Sequence, residues 1–309
     1  MRLSTIITLL LATDCSGFAA KKGGKRNRAP AKKSGGGGFG AAPTKTAPPP
    51  PNQPELQEII LGPAKTVYIN VPPDQLAPDQ INKKDMKKFA SASAGSSARA
   101  ALLDKYGELR GRGDVVWPSS LQLARLIANC PSFVAGRRCI DIGSGLGLAS
   151  LAIVLGKPSK LAVSDIDEEV LRLAIRSCTE QIDVMPKPSI KAVDRLVLDW
   201  SDSSTWPKAR GEFDFACASD VLYDADAAVH LAKLLSYLIV AEEGSVATSN
   251  IGEDGEEIIG RALLVDPSNR ENRDKFAEEA AKNGLDAEVL PFPGNEEDFK
   301  LISVTQADL

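Results

Sequence analysis

A glycine-rich turn between a predicted buried strand and a predicted apolar helix constrains the fold of this chain more than any other feature. The strand covers 138–142, and the helix covers 148–155 and ends at Gly156. The turn between them is Gly143-Ser144-Gly145-Leu146-Gly147. Strand, tight turn and helix in this order form the first part of a βαβ unit.

Strands and helices alternate along the rest of the chain. We predict strands over 160–164, 190–198, 213–218, 245–249, 287–290 and 299–304, and helices over 168–179, 225–240 and 270–283. This alternation predicts an α/β fold with a mostly parallel, doubly wound sheet. The last two strands are close in sequence, so we expect an antiparallel pair at one edge. Before the first unit, we predict a strand over 66–69 and a helix from Ser119 or Ser120 to about Asn129.

The turn and the end of the next strand together indicate a nucleotide-like ligand. Gly143 and Gly145 let a ligand lie close to the backbone. Asp165 follows Gly145 by twenty residues and ends the next predicted strand. A carboxylate there can accept hydrogen bonds from both hydroxyls of a ribose. In open α/β sheets such ligands bind outside the carboxyl ends of the strands.

The spacing of the glycines favours one of two nucleotide cofactors. The turn has a G-x-G-x-G pattern, whereas dinucleotide folds use G-x-G-x-x-G and place the pyrophosphate on the helix N-terminus. Asp141 stands just before the turn, and its negative charge disfavours a pyrophosphate. The same charge suits the ammonium or sulfonium of S-adenosylmethionine. An NAD-dependent oxidoreductase is therefore the less favoured alternative.

Two further strand ends carry polar and aromatic residues. The pair Asp199-Trp200 follows the third strand of the series, where an acid can bind the adenine amino group and an indole can stack on the ring. The next strand ends in Ser219-Asp220, followed by Tyr223 and Asp224. Asp220 and Tyr223 can shape a pocket for a methyl acceptor in the same crevice.

Together these motifs resemble the class I, seven-β-strand methyltransferases. More narrowly, the chain is similar to the lysine-methyltransferase-like group, which has an Asp-x-x-Tyr motif after the fourth strand. The resemblance covers about residues 110–305 in pattern, and its motifs lie between Val115-Val116-Trp117 and Asp224. It implies a Rossmann-like seven-stranded sheet, S-adenosylmethionine as cofactor and N-methylation of a protein lysine.

The resemblance also implies a role for each matching residue. Gly143, Ser144 and Gly145 would line the methionine part of the cofactor, with Asp141 near its ammonium; Asp165 would hold the ribose; Asp199 and Trp200 would hold the adenine; Ser219 would pack beneath the cofactor and Trp117 would close over it. The candidate catalytic residues are Asp220, Tyr223 and Asp224. We expect the two acids to orient the amine and Tyr223 to pack against its alkyl stem, without a dedicated general base.

Alternatives remain open for the acceptor and for activity itself. Residues 264–270 resemble an Asp-Pro-x-x-Arg loop of some small-amine methyltransferases, so a small amine is the second candidate acceptor. A non-catalytic interaction protein with the same fold is the third possibility. Five cysteines without a CxxC pair, and a single histidine, argue against a zinc site. That histidine, His230, is expected on a helix surface.

Charge is distributed unevenly along the chain. Residues 1–54 hold nine of the 37 basic and one of the 41 acidic residues, which leaves 28 basic and 40 acidic residues in 55–309. Such an acidic body is a poor nonspecific binder of nucleic acid, because phosphate contacts need Lys and Arg. No nucleic-acid partner is expected, and a basic acceptor suits this charge better.

The first 54 residues have the composition of a targeting segment. A basic start and a ten-residue apolar stretch in 1–17 are typical of a secretory signal peptide. The basic, Ser-, Ala-, Gly- and Pro-containing segment 18–54 is typical of a transit peptide. In tandem they resemble the bipartite presequence of algae whose plastids lie within the endomembrane system, with secretion as the alternative. We predict an extension over 55–110, a catalytic domain over 111–309 and no transmembrane segment in the mature protein.

Overall fold

The structure is a computed structural model that describes residues 54–63, 65–72, 116–239, 260–294 and 296–307. Nearly all of the predicted presequence lies outside this part of the chain. The strand predicted over 245–249 lies outside it as well. All statements about the fold concern the described residues.

The described residues form nine strands and five α-helices. The strands are β1 (Glu55–Gly62), β2 (Lys65–Val71), β3 (Arg138–Ile142), β4 (Lys160–Asp165), β5 (Asp194–Val197), β6 (Phe215–Ser219), β7 (Arg261–Pro267), β8 (Leu285–Pro291) and β9 (Phe299–Gln306). The helices are α1 (Pro118–Asn129), α2 (Leu148–Leu155), α3 (Glu168–Val184), α4 (Ala225–Ile239) and α5 (Arg273–Lys282). The βα alternation predicted from 138 onwards is therefore confirmed where it is described.

Seven of these strands form one sheet in the order β5-β4-β3-β6-β7-β9-β8. The pairs β3–β4, β4–β5, β3–β6 and β6–β7 are parallel. Strand β9 is antiparallel to both β7 and β8. The seven-stranded, mostly parallel sheet and its antiparallel C-terminal pair are confirmed. The strand order reverses beside β3, which places a crevice at the carboxyl ends of β3, β4 and β6.

Alternate residues along the central strands enter two hydrophobic cores, one on each face of the sheet. Cys139 of β3 and Cys217 of β6 belong to the core covered by α1, α2 and α3. Ile140 of β3 and Ala216 of β6 belong to the core covered by α4 and α5. Because successive side chains of a strand point to opposite faces, this division is that of a doubly wound sheet.

Helices α2 and α3 lie next to the glycine turn and differ in how their buried residues are distributed, because they pack differently. Helix α2 is buried from Leu148 to Val154, because it packs between α1 and α3 as well as on the sheet. Helix α3 is amphipathic and begins at a capping residue, Asp167, whose carboxylate accepts hydrogen bonds from the amides of Glu169 and Val170. Acidic residues in its first turn also suit the helix dipole. Both helices are thereby fixed at the ends that face the crevice.

Two expectations about local structure were wrong. No strand was predicted over 261–267, and residues 264–270 were likened to a loop, but the structure has β7 there, buried on both faces and paired with β6 and β9. The second error concerns the extension, where β1 precedes the predicted strand and forms an antiparallel hairpin with β2. The Asn70 amide in β2 donates to Ser177 Oγ of α3 at 2.8 Å, so the described part of the extension packs on the domain.

None of the helices in the described part of the chain is long and apolar enough to cross a membrane.

Candidate functional site

A cavity of about 590 Å³ opens at the carboxyl ends of β3, β4 and β6. Its walls hold the sequence-predicted residues Trp117, Gly143, Ser144, Gly145, Asp165, Asp199, Trp200, Ser219, Asp220, Tyr223 and Asp224. The remaining predicted site residue, Asp141, is not in the lining. The fold thus brings together residues that are spread over more than a hundred positions of the chain.

The glycine turn wraps the floor of the cavity in a conformation that favours glycine. Gly143 and Gly145 have φ values of 61° and 53°, in the left-handed region. A Cβ atom on Gly143 would lie 3.1 Å from Cζ2 of Trp200. The Ser144 amide donates to the Ser164 carbonyl at 2.8 Å, which ties the turn to β4. The turn can therefore place its backbone directly against a ligand.

Asp165 ties the turn to the end of the neighbouring strand. Its Oδ2 accepts from the Gly145 amide at 2.9 Å, and its Oδ1 accepts from the Asp167 amide at 3.0 Å. Burial raises the pKa of Asp165 above its ordinary value, while these two amides act in the opposite direction. The carboxylate is almost dehydrated yet faces the cavity, so hydroxyl donors of a ligand can replace the water it lacks.

Asp141 lies beneath the turn. Its Oδ2 accepts from Ser150 Oγ at 2.6 Å, and its Oδ1 accepts from Cys217 Sγ at 3.6 Å. Burial raises the pKa of Asp141 to about 6, although both hydrogen bonds favour the ionised form. Its contacts run to α2 and β6, away from the lining, and its contact with a cofactor ammonium stays a prediction.

Asp199 and Trp200 form the part of the cavity wall that lies beside Gly143. Ser201 donates to Asp199 Oδ1 from its amide at 2.8 Å and from its hydroxyl at 2.7 Å. These hydrogen bonds lower the pKa of Asp199. The Trp200 and Tyr223 rings have centroids 6.3 Å apart and planes tilted by 35°. An aromatic surface therefore continues from the predicted adenine side to the predicted acceptor side.

The acceptor side begins at the end of β6, where Asp220 has a φ of 58°. The Asp220 amide donates to the Val265 carbonyl at 3.0 Å, so the turn is tied to β7. Its carboxylate forms an ion pair with the Arg270 guanidinium and accepts from Ser119 Oγ at 3.4 Å. Asp224 Oδ1 accepts from the Ala227 amide at 2.6 Å and caps α4. Of these two predicted acids, Asp220 is the one whose charge is balanced by a cation.

Thirteen of the 24 lining residues were not predicted as site residues, and two of these, Arg270 and His230, carry ionisable side chains on the acceptor side. Arg270 follows β7 and had been seen only as part of the supposed loop. His230 was expected on a helix surface, but it is half-buried and faces the cavity one turn after Ala227. The signal for His230 was available, since residues three apart on a helix share a face.

These features fit S-adenosylmethionine. The cavity volume is within the ~300–1,000 Å³ of typical ligand pockets. The turn passes so close to Trp200 that a Cβ on Gly143 would be tight, Asp165 offers a buried carboxylate to a ribose, and Trp200 offers an aromatic face. In the described residues, no group of three or more His, Cys, Asp and Glu side chains could hold a metal ion.

Comparison with known families decides the class. The model of one family, described as lysine methyltransferase, matches residues 100–258, which is more than half of the 309 residues. The chain belongs to the lysine methyltransferase family. The predicted methyltransferase class is thereby confirmed, and the matched segment contains the glycine turn, Asp165, Asp199-Trp200 and the Asp220-x-x-Tyr223 motif.

Curated relatives of this lysine methyltransferase family member share a moderate level of identity. Calmodulin-lysine N-methyltransferase of Arabidopsis thaliana is 26% identical over 170 residues, covering 55% of this chain and 50% of the relative. Protein-lysine N-methyltransferase EEF2KMT of Homo sapiens is 28% identical over 137 residues, covering 42% of each. The electron transfer flavoprotein beta subunit lysine methyltransferase of Mus musculus is 27% identical over 114 residues, covering 37% and 40%. The chain thus spans about half or less of these relatives.

Proposed function

We propose that this protein transfers a methyl group from S-adenosylmethionine to the Nζ atom of a lysine in a protein substrate. The observation that carries the proposal is that one cavity joins the glycine turn and Asp165 to the Asp220-x-x-Tyr223 motif. A cofactor held by the turn and a lysine entering past Tyr223 would meet in this cavity. Membership of the lysine methyltransferase family and the names of the relatives support the same acceptor.

Each side of the cavity has a separate task. S-adenosylmethionine supplies, when bound, a methyl group activated by a positively charged sulfur. The turn and Asp165 fix the position of that group, and Trp200 covers the base. Tyr223, about a third exposed at the rim, offers its ring to the alkyl chain of a lysine. Alignment of nucleophile and methyl carbon along one line supplies much of the acceleration in such a displacement.

The experiment that tests the proposal uses labelled methyl groups and a protein extract of the source organism. The purified protein is incubated with S-adenosylmethionine carrying a labelled methyl group, and the protein and small-molecule fractions are separated before analysis. We expect label in methylated lysine of one or a few proteins, and none with the Gly145→Arg variant. Label confined to the small-molecule fraction would favour a small amine instead. Label in neither fraction, with cofactor binding retained, would favour a non-catalytic binding protein.

The targeting of the protein is part of the proposal. Residues 1–17 act as a signal peptide and 18–54 as a transit segment, which together direct the protein to a plastid through the secretory pathway. The supporting observation is the change in composition at residue 55, from basic to acidic. Fusing residues 1–54 to a fluorescent protein, in an alga with such plastids, tests it. Removal of 18–54 should divert the fusion to secretion, and a cytosolic signal from the full fusion would refute the proposal.

A further inference from the structure

Arg270 reaches from the segment after β7 into the wall of the acceptor side. Its guanidinium forms an ion pair with Oδ1 of Asp220, and its Nε lies 3.8 Å from Oδ1 of Asp266. The Arg270 side chain is 11% exposed and the Asp220 side chain is 6% exposed, so both lie mostly out of water. The pair thus links the end of β6 to the end of β7 inside the cavity wall.

The backbone around this ion pair is held from several sides. The Asp220 amide donates to the Val265 carbonyl, and the Arg270 amide donates to the Pro267 carbonyl at 3.1 Å. The Arg273 guanidinium donates to the carbonyls of Pro267 and Ser268, which fixes the segment that presents Arg270. The pairing is therefore a built feature of two neighbouring strand ends, with Arg270 aimed at the carboxylate.

The ionisable residues of the pair and its surroundings come from four parts of the fold. The ionisable residues near it are Asp220, Tyr223 and Asp224 from the turn after β6, Asp226 and His230 from α4, Asp266 and Arg270 from β7 and its following segment, and Arg273 from α5. Helix α1 contributes the uncharged Ser119. Among the groups that line the cavity there, Arg270 is the permanent cation, and it neutralises the carboxylate of Asp220.

We propose that Arg270 is a positioning residue that keeps Asp220 from holding the substrate lysine as an ammonium ion. This inference rests on the proposed function, because it concerns the lysine acceptor. An unpaired, buried carboxylate in the acceptor wall would bind a lysine ammonium tightly and stabilise the protonated form. With Arg270 in place, the charge of Asp220 is balanced, so this carboxylate no longer stabilises the protonated amine.

The chemistry of the reaction explains why this matters. The lone pair of a neutral Nζ forms the new N–C bond, the C–S bond breaks, and its electron pair goes to the sulfur. The lysine must lose its own proton to water beforehand, and the methylated product carries the new positive charge. A lysine of ordinary pKa, about 10.4, is neutral in only about one molecule in a thousand near pH 7.5. Each unit by which a site raises that pKa lowers the neutral fraction about tenfold.

Binding of a lysine probe tests the inference without turnover. The probe is Nα-acetyl-lysine methylamide, titrated by NMR into the protein loaded with S-adenosylhomocysteine at pH 7 and pH 9.5. For the unaltered protein we expect affinity to rise with pH, since the neutral amine becomes more abundant. For Arg270→Met we expect binding at pH 7 to tighten about tenfold or more and to stop rising with pH. Arg270→Lys, which keeps a cation beside Asp220, should retain the original behaviour.

Two further variants separate this role from a purely structural one. The double variant Arg270→Met/Asp220→Asn removes the carboxylate as well, so the tight binding at pH 7 should disappear. Arg195→Met removes an exposed arginine of the edge strand β5 that pairs with Glu168, and it should leave probe binding at both pH values unchanged. Asp220→Asn alone is the substitute if Arg270→Met does not fold. At pH 7 this variant should bind the protonated probe no more tightly than the unaltered protein does.

Steady-state kinetics with the identified acceptor protein provide a second test of the same proposal. Arg270→Met should lower both KM and kcat at pH 7, and its kcat should recover as pH rises. Equal binding and equal pH profiles in Arg270→Met and the unaltered protein would overturn the inference alone. Failure of the unaltered protein to bind the probe at either pH would overturn both the inference and the lysine acceptor.

Discussion

The amide of Gly145 donates a hydrogen bond to Oδ2 of Asp165 at 2.9 Å, twenty residues further along the chain. This bond joins the glycine turn after β3 to the end of β4. The same carboxylate accepts from the Asp167 amide just before α3. One side chain therefore fixes three backbone segments around the expected ribose.

Substitution of Asp165 should weaken cofactor binding with little unfolding. Hydrogen bonds to a charged group are worth about 1.5–3 kcal/mol each, so losing one to the ribose should raise the Kd for S-adenosylmethionine at least roughly tenfold. Calorimetric titration of Asp165→Asn measures this. Asp183→Asn, on the exposed face of α3, is the matched control and should bind as the unaltered protein does. Equal affinity in the two variants would remove Asp165 from the site.

Two glycines with similar backbone conformations should differ sharply in their tolerance of a methyl group. Gly147 has a φ of 79°, and a Cβ there would lie 2.7 Å from Ala174 Cβ of α3. Gly136 has a φ of 68° and has no atom within 4 Å of such a Cβ. The left-handed conformation costs both alanine variants roughly 1–2 kcal/mol. Overpacking should cost Gly147→Ala about 1–3 kcal/mol more, measured as the free energy of unfolding in urea.

The same two alanine variants should also differ in cofactor binding, because only Gly147 belongs to the turn before α2. Gly147 lets α2 and α3 approach closely at the end of the cavity, so Gly147→Ala should also weaken cofactor binding. Gly136→Ala, which lies before β3 and outside the cavity lining, should leave binding unchanged. The interpretation fails if the two alanine variants lose equal stability.

The buried carboxyl of Asp141 should make stability depend on pH. Burial raises the pKa of Asp141 from 3.8 to about 6, so the folded protein holds this proton more tightly than the unfolded chain does. The contribution of Asp141 to stability is then complete below about pH 3.8 and is lost as pH rises through about 6. Asp141→Asn removes the titrating group. The stability of this variant relative to the unaltered protein should therefore increase between pH 4 and pH 7.

Urea denaturation at a series of pH values measures that difference. Asp183→Asn, which removes an exposed carboxylate of α3, is measured beside it as the control variant. A difference for Asp141→Asn that stays constant with pH would show that Asp141 does not titrate in this range.

Trp200 and Trp206 lie close together in sequence but should respond differently to the cofactor. Trp200 lines the cavity and contacts the glycine turn. Trp206 packs against Tyr237 and donates from Nε1 to the Asp199 carbonyl, outside the lining. Stacking of a base on an aromatic ring is worth about 1–3 kcal/mol, so Trp200→Ala should raise the Kd by roughly fivefold or more. The cofactor should quench tryptophan fluorescence in Trp206→Phe, and less so in Trp200→Phe.

Local sequence patterns were sufficient for most of the fold. The apolar runs of β3, β4 and β6 and the glycine turn predicted the βα alternation. Hydrophobic periodicity and turn-forming residues can both be recognised from residues that are neighbours in the sequence. The parallel sheet followed from the alternation, since parallel strands need helical crossovers. Strand β7 was missed because Asp266-Pro267 resembles a turn, whereas β7 pairs with β6 as far as Val265 and with β9 through Pro267.

The positions of the site residues could be predicted from the sequence for the same reason. The contacts that these residues make with one another could not. Each strand end carries its polar residues in the sequence, and parallel strands bring those ends to one edge. The sequence by itself therefore determined the fold class, the family resemblance and 11 of the 24 residues that line the cavity. Only the tertiary structure decided that Asp141 faces Ser150 and that Arg270 balances Asp220. These are contacts between segments up to 50 residues apart, which no local pattern encodes.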